Sequence, residues 1–244
     1  MKHFRESWPA WLIIIVGFIL VCSFHIPYNH YIHNDATSCS VNTMFGFGTG
    51  NYIGSIKYPY ILTAKHVIDT SPSPLVKITS KEDNFKEQLA LLVIASKSKD
   101  FAILEPIYIP TYSNVAQYAL KDNTFLGNTV YYYGLPGKQP FLFLQRGPVS
   151  YLGLYDGQNF YNAFSTNCHG GSSGATIFND KGLGVGILCM SNLLGNRGTY
   201  GIYLPIEQIR DSIKESGISE IQGILDGKCQ RYLSQFTKNV IMVP

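Results

Sequence analysis

The chain has 244 residues, of which 45% are hydrophobic and 14% aromatic, so it can bury a core as one all-β domain or as two small halves. This composition excludes a disordered or fibrous protein, and the abundance of tyrosine and glycine favours many short strands over a helical bundle. A formal net charge of +3, with lysines scattered among acids, gives no basis for predicting a nucleic-acid partner.

The first segment, residues 1–26, has the pattern of a membrane helix. Lys2 and Arg5 precede an apolar run from Trp8 to Ile26, which approaches the ~20 residues that cross a hydrocarbon core. The leading basic residues predict a single-pass anchor with the following domain outside the cytoplasm. The alternative is a signal peptide cleaved before Phe24, which would leave a secreted or periplasmic protein.

Residues 27–40 are polar and aromatic without a period, and they are interpreted as a linker. His25, His30 and His33 lie in or beside it, but no ordered scaffold or carboxylate pattern accompanies them, so no metal site is predicted.

Four cysteines follow the anchor: Cys39, Cys168, Cys189 and Cys229. They allow three disulfide pairings outside the cytosol, and the sequence does not choose among them. Buried free thiols are the other interpretation.

From Val41 the chain has the pattern of short strands separated by Gly and Pro. The predicted strands lie at 43–50, 52–53, 60–64, 75–79, 89–95, 101–104, 129–133, 141–144, 149–154, 163–165, 175–178, 184–190 and 200–204. Because no crossover helices separate them, an antiparallel barrel or sandwich is expected.

The predicted domain, residues 41–217, has a natural seam at 105–123, where Pro106 and Pro110 fall. After Leu204 a helix is predicted, with one apolar face and Gly217 as its stop. Residues 218–244 form a tail to which no function is assigned, with one more short helix expected around 229–236.

A serine between glycines, Gly171-Ser172-Ser173-Gly174, precedes an apolar run. A serine nucleophile needs a base to take its proton and backbone N–H donors that a substrate can approach closely, and flanking glycines allow that approach. His66 follows a hydrophobic strand and Asp100 precedes another, so an imidazole and a carboxylate are available.

These motifs resemble the trypsin-like serine peptidases of the chymotrypsin double-barrel fold, and within them the HtrA (Deg) branch. The matching segments are 48–53, 62–67, 100–104, 171–175 and 200–205. The resemblance implies an all-β fold of two antiparallel barrels, with Ser173 as nucleophile, His66 as general base and Asp100 as its orienting carboxylate. It also implies an oxyanion hole formed by the N–H groups of Gly171 and Ser173.

Two departures from the family pattern have consequences. Ser172 stands where enzymes activated by a newly cut amino terminus have an aspartate, so no trypsin-type zymogen activation is expected. Ala175 stands where glycine is usual, and the added methyl is tolerable if the backbone there is not left-handed.

The resemblance places the primary substrate pocket beside a set of residues that contains no carboxylate: Asn167, Cys168, Leu188, Cys189 and Met190. A preference for Lys or Arg is therefore disfavoured, and a small or medium apolar residue before the cut is expected.

The resulting hypothesis is a serine endopeptidase that acts on polypeptides through an acyl-enzyme, without a cofactor. The alternative is a catalytically inactive trypsin-like domain that serves as a protein-binding module. An esterase with the same triad is less favoured, because no strand–turn–helix nucleophile elbow is present. Oligomeric state is left open.

Overall fold

A computed structural model describes residues 34–69, 71–81, 84, 86–108, 114–135, 141–191, 200–229, 232–235 and 239–244. The predicted membrane or signal helix at 1–26 and residues 27–33 of the predicted linker lie outside these residues. Within the described part of the chain, no helix has the length and apolar character needed to span a bilayer.

The first barrel is antiparallel and closed, with the strand order β1-β2-β3-β6-β5-β4. Its strands are β1 (Ser38–Asn42), β2 (Phe47–Gly54), β3 (Pro59–Thr63), β4 (Leu75–Ser80), β5 (Gln88–Ser96) and β6 (Ala102–Pro106). The pairing of β5 with β6 closes it. In β4, Val76 and Ile78 point inward while Leu75 and Lys77 are exposed, which is the period-2 pattern of a half-buried strand.

The second barrel is also closed and has the order β10-β11-β12-β9-β8-β7. Its strands are β7 (Thr129–Gly134), β8 (Phe143–Tyr155), β9 (Phe160–Ser165), β10 (Thr176–Phe178), β11 (Gly184–Ser191) and β12 (Tyr200–Pro205). The sequence predicted two separate strands at 141–144 and 149–154, whereas the structure has the single long strand β8, which runs through Pro148.

Each barrel encloses an apolar core, and a larger cluster fills the space between the barrels. Ile61 and Leu104 belong to the first core, and Phe164 and Tyr203 belong to the second. The cluster between them joins strand residues of both barrels to the helix α1 (Ile206–Glu215) and to the tail. The helix buries Ile206, Ile209 and Ile213, as its apolar face predicted.

The tail is packed against both parts of the domain. Short 3-10 turns lie at Ser219–Ile221, Ile224–Asp226 and Leu233–Gln235. A short strand, β13 (Ile241–Val243), then pairs in parallel with β5 of the first barrel. The sequence predicted one short helix in this tail and no strand.

The described structure is therefore all-β, with two six-stranded antiparallel barrels and a helix after the second. This is the architecture that the resemblance implied.

Candidate active site

The pairing of β3 with β6 brings His66 and Asp100 together. Thr63, the last residue of β3, lies opposite Ala102, the first residue of β6. His66 follows Thr63 in a short 3-10 turn, Lys65–Val67, and Asp100 lies just before Ala102. Two adjacent strand ends of one rigid sheet thus carry the imidazole and the carboxylate.

The carboxylate of Asp100 holds His66 at two points. The backbone N–H of His66 donates to Asp100 Oδ1 at 2.9 Å, and the His66 Nδ1 atom lies 2.7 Å from Asp100 Oδ2. A carboxylate beside Nδ1 favours the tautomer with the proton on Nδ1, which leaves the lone pair of Nε2 available as a base. The His66 side chain is 48% exposed and that of Asp100 is 19% exposed, so solvent reaches the pair.

The environment of His66 raises the pKa of its imidazole above the ordinary value of 6.5. The main cause is the hydrogen bond to Asp100, and the charges of Asp100 and Asp69 act in the same direction. Partial burial opposes them because it disfavours the charged ring.

Ser173 lies in the loop between β9 and β10, in the second barrel, and strand β2 of the first barrel fixes it. The Ser173 carbonyl oxygen accepts a hydrogen bond from the Thr49 N–H at 2.8 Å. Gly48 packs between Ser173 and Val67, the residue after His66: a Cβ atom on Gly48 would lie 2.8 Å from Ser173 O and 2.6 Å from Val67 Cγ2. The structure therefore brings Ser173 to the side of the first barrel that carries His66.

The loop needs glycine at position 174. Gly174 has a φ of +89°, and a Cβ there would lie 2.1 Å from the Thr49 carbonyl oxygen. Both the left-handed conformation and the close approach exclude a side chain. Ala175 does not have a positive φ, because among the described residues Asn84 is the one non-glycine residue that does. The methyl group of Ala175 is therefore compatible with its position.

The hydroxyl of Ser173 donates to the carbonyl oxygen of Cys189, with an Oγ–O distance of 3.4 Å. Among the described residues, His66 is not its hydrogen-bond partner. Cys189 also contacts Asp100, since its thiol lies 3.8 Å from the Asp100 carbonyl oxygen. Catalytic hydrogen bonds are often long or misaligned before substrate binds, so the lack of this contact does not exclude Ser173 as a nucleophile.

Burial distinguishes the two adjacent serines. Ser172 is 2% exposed, whereas Ser173 is partly exposed. The Ser172 backbone forms tight turns on both sides: its N–H donates to His169 O, and its carbonyl accepts from Ala175 N. Ser172 is therefore inside the loop, and Ser173 is the hydroxyl that solvent can reach.

Two N–H groups of this loop are available for an anion. Among the described residues, neither the N–H of Gly171 nor that of Ser173 has a protein acceptor. Gly171 has a φ of 93°, so this loop turns in a conformation that favours glycine. Backbone donors of this kind can stabilise the oxyanion of an acyl-transfer intermediate.

The predicted pocket residues differ in their exposure to solvent. Asn167 is exposed and Cys168 is half-buried at the rim of the second core, whereas the side chains of Leu188 and Cys189 are buried. Burial raises the pKa of the Cys168 thiol to about 11, so it is a neutral group. The side chain of Met190 lies outside the described part of the structure. His169 is an exposed loop residue, with its ring 5.7 Å from that of Phe143.

All four cysteines of the described residues are free thiols, which matches the second interpretation of the sequence. The described residues contain no cluster of His, Cys, Asp or Glu that could hold a metal ion. The histidines of the amino-terminal segment lie outside them.

Two β-barrels that carry a His–Asp pair on one and a glycine-flanked serine on the other define the trypsin-like class. The family model of the trypsin-like peptidase domain matches residues 48–187, so the chain belongs to that family. This confirms the resemblance drawn from the motifs. No curated protein sequence shows significant similarity to the chain.

Solved proteases have the same fold. Rv3671c from M. tuberculosis H37Rv, in an inactive form, is 16% identical with a TM-score of 0.64, and the match covers 78% of this chain and 91% of that chain. The serine endoprotease from Yersinia pestis is 23% identical with a TM-score of 0.62, over 77% of this chain and 65% of that chain. The HtrA-type protease AlgW, solved with a tripeptide, is 18% identical with a TM-score of 0.65, over 80% and 64%. The chain thus spans less than two thirds of the latter two proteins.

Sequence reasoning placed His66, Asp100 and Ser173 from local motifs, but it gave no role to Thr49. The hydroxyl of Thr49 donates to Gly171 O at 2.8 Å and accepts from Leu135 N at 3.0 Å. The only sequence signal was its place in the segment Gly48-Thr49-Gly50, which matched the family pattern.

Proposed function

We propose that this chain is a serine endopeptidase in which Ser173 attacks the peptide carbonyl. His66 takes the proton of Ser173 through Nε2 and then delivers it to the leaving amine, while Asp100 holds the ring and stabilises its charged form. The observation that carries the proposal is the two-point contact between Asp100 and His66, with Nδ1 2.7 Å from Oδ2.

Catalysis requires one rearrangement of the resting site. In the proposed mechanism the Ser173 hydroxyl leaves the carbonyl oxygen of Cys189 and turns to the His66 imidazole. The 3.4 Å contact with Cys189 is long for a hydroxyl hydrogen bond, so the cost of breaking it is small. Substrate that displaces water from the cleft would favour the turned rotamer.

The oxyanion of the intermediate is proposed to accept from the N–H groups of Gly171 and Ser173, which have no described protein acceptor. Such donors act strongly because they are fixed before the charge develops.

We also propose that no amino-terminal ion pair activates the enzyme. Ser172 has a neutral hydroxyl in place of a carboxylate, and it is 2% exposed. For substrate preference, the neutral surroundings of Cys168 and Leu188 support a small or medium apolar residue before the cut.

The test is covalent labelling with a fluorophosphonate probe, combined with turnover of a peptide library. Labelling is expected in the wild type and in Ser172→Ala, and it is expected to vanish in Ser173→Ala. Loss of Ser173 or His66 should lower kcat on the order of a millionfold, as in comparable triads.

Ser172→Ala is the matched control, because it removes the neighbouring hydroxyl and leaves the loop glycines in place. If Ser172→Ala is as inactive as Ser173→Ala, the assignment of the nucleophile is wrong. If the folded wild type is neither labelled nor active, the chain is instead a catalytically inactive binding domain.

A further inference from the structure

Thr49 is a fully buried residue of β2 whose polar groups all have partners. Its N–H donates to Ser173 O at 2.8 Å, and its carbonyl oxygen accepts from Thr63 Oγ1 at 2.8 Å. Its hydroxyl donates to Gly171 O at 2.8 Å and accepts from Leu135 N at 3.0 Å. A residue of the first barrel is thereby bonded to two separate segments of the second.

The positions of these bonds along the loop matter. Gly171 O and Ser173 O belong to the peptide groups on either side of the one that contains the Ser173 N–H. Because Thr49 holds both flanking carbonyls, the peptide between them has little freedom to rotate. The bond to Gly171 O also fixes the residue that contributes the other oxyanion N–H.

Residue 172 does not hold this loop through a charge. Ser172 is uncharged and buried, so it forms no ion pair that could hold the loop. The bond from Leu135 N orients the Thr49 hydroxyl, because a hydroxyl that accepts from one side directs its proton away from that side. That proton is directed to Gly171 O.

We propose that Thr49 is a positioning residue for the oxyanion hole. Its hydroxyl holds this loop in place, whereas Ser172 cannot do so through an ion pair. This proposal rests on the endopeptidase function proposed above. Misplacement of oxyanion donors lowers the stability of the transition state more than that of bound substrate.

The first test compares Thr49→Val, which is nearly isosteric, with Thr49→Ser, which keeps the hydroxyl. Thr49→Val is expected to lower kcat by about tenfold to a hundredfold with little change in KM, less than the 10²–10³ that loss of a donor itself costs. Thr49→Ser should retain kcat within about threefold. Ser40→Ala is the control, because Ser40 is a buried hydroxyl of the same barrel whose described partners, Thr79 and Asn42, lie outside the loop.

A second readout does not depend on activity. Amide hydrogen exchange across residues 169–175 should be faster in Thr49→Val by about tenfold, the equivalent of one hydrogen bond, and unchanged in Ser40→Ala. The proposal is overturned if Thr49→Val keeps wild-type kcat and exchange, or if Thr49→Ser loses as much as Thr49→Val. If the wild type is inactive but exchange is still faster in Thr49→Val, the role of Thr49 in holding the loop is supported and the endopeptidase function is refuted.

Discussion

His66 has its base strength set by Asp100. The hydrogen bond to that carboxylate stabilises the imidazolium and raises the pKa of the ring, while burial partly offsets the effect. A general base acts only when it is neutral. In the proposed mechanism, activity is therefore expected to be lost as the pH falls through a value above 6.5 and to be fully present at higher pH.

We expect kcat/KM to show an acidic limb with a midpoint above 6.5, the ordinary pKa of histidine. Asp100→Asn should move this midpoint to lower pH, because the contribution that raises the pKa is removed. It should also lower kcat by about 10⁴-fold, since the favoured tautomer is lost. Asp69→Asn is the control, because Asp69 is the weakest contributor to the pKa of His66. An unmoved limb in Asp100→Asn would show that another group titrates.

At this scale, the sequence predicts residues that sit in local motifs and misses contacts made by packing. His66 and Asp100 were found because each adjoins a predictable apolar strand. The bond from Ser173 to the Cys189 carbonyl and that from Thr49 to Gly171 depend on how two barrels meet. The spacing of motifs along the chain does not show how the two barrels pack against each other.

Among the elements, the tail has the least predictable course, and a buried carboxylate explains where it lies. Glu105, at the end of β6, is 5% exposed. Its Oε2 atom accepts from Leu233 N at 2.7 Å and from Ser234 N at 3.1 Å. The Ser234 hydroxyl donates to Oε1. The Glu105 carboxylate of the first barrel thus accepts hydrogen bonds from the backbone N–H groups at the start of the last 3-10 turn.

Glu105→Gln should weaken this attachment, because hydrogen bonds to a charged acceptor contribute about 1.5–3 kcal/mol and an amide retains only part of that. Thermal unfolding followed by circular dichroism should show a melting temperature lower by several degrees, at roughly 2–4 °C per kcal/mol. Glu87→Gln makes the same change in an exposed ion pair with Lys77, and it should lower the melting temperature by about 1–2 °C at most. Equal shifts in the two variants would contradict a role for Glu105 in holding the tail.

The bounds of β4 and β12 were predicted within one residue. The errors arose where tertiary pairing overrides local signals. The sequence predicts separate strands at 141–144 and 149–154, yet β8 runs through Pro148 as one strand. Strand β13 has too few residues to show a period, and it pairs with residues 94–96 of β5, which extend beyond the pairing of β5 with β4.

For the molecule as a whole, the double-barrel fold was predictable because its motifs occur in one order over most of the chain. The location of the protein remains a prediction from residues 1–26. Their apolar run and preceding basic residues predict a single-pass anchor with the peptidase domain outside the cytoplasm.

If the anchor prediction is correct, the protein should partition into the membrane fraction, and sequencing of its amino terminus should begin at Met1. Deletion of residues 1–26 should move it to the soluble fraction. A mature amino terminus at Phe24 would instead support the cleaved signal peptide and a secreted or periplasmic enzyme.

The chain passes between the barrels more than once. Asn34 donates its amide to Tyr131 Oη and to Gly182 O in the second barrel, and strand β13 returns to pair with β5 in the first. A nascent polypeptide leaving the ribosome would lack the strand that pairs with residues 94–96 of β5 until residues 241–243 were translated. The complete set of contacts should therefore form only late in synthesis, and fragments ending at the seam between the barrels should be less stable than the intact domain.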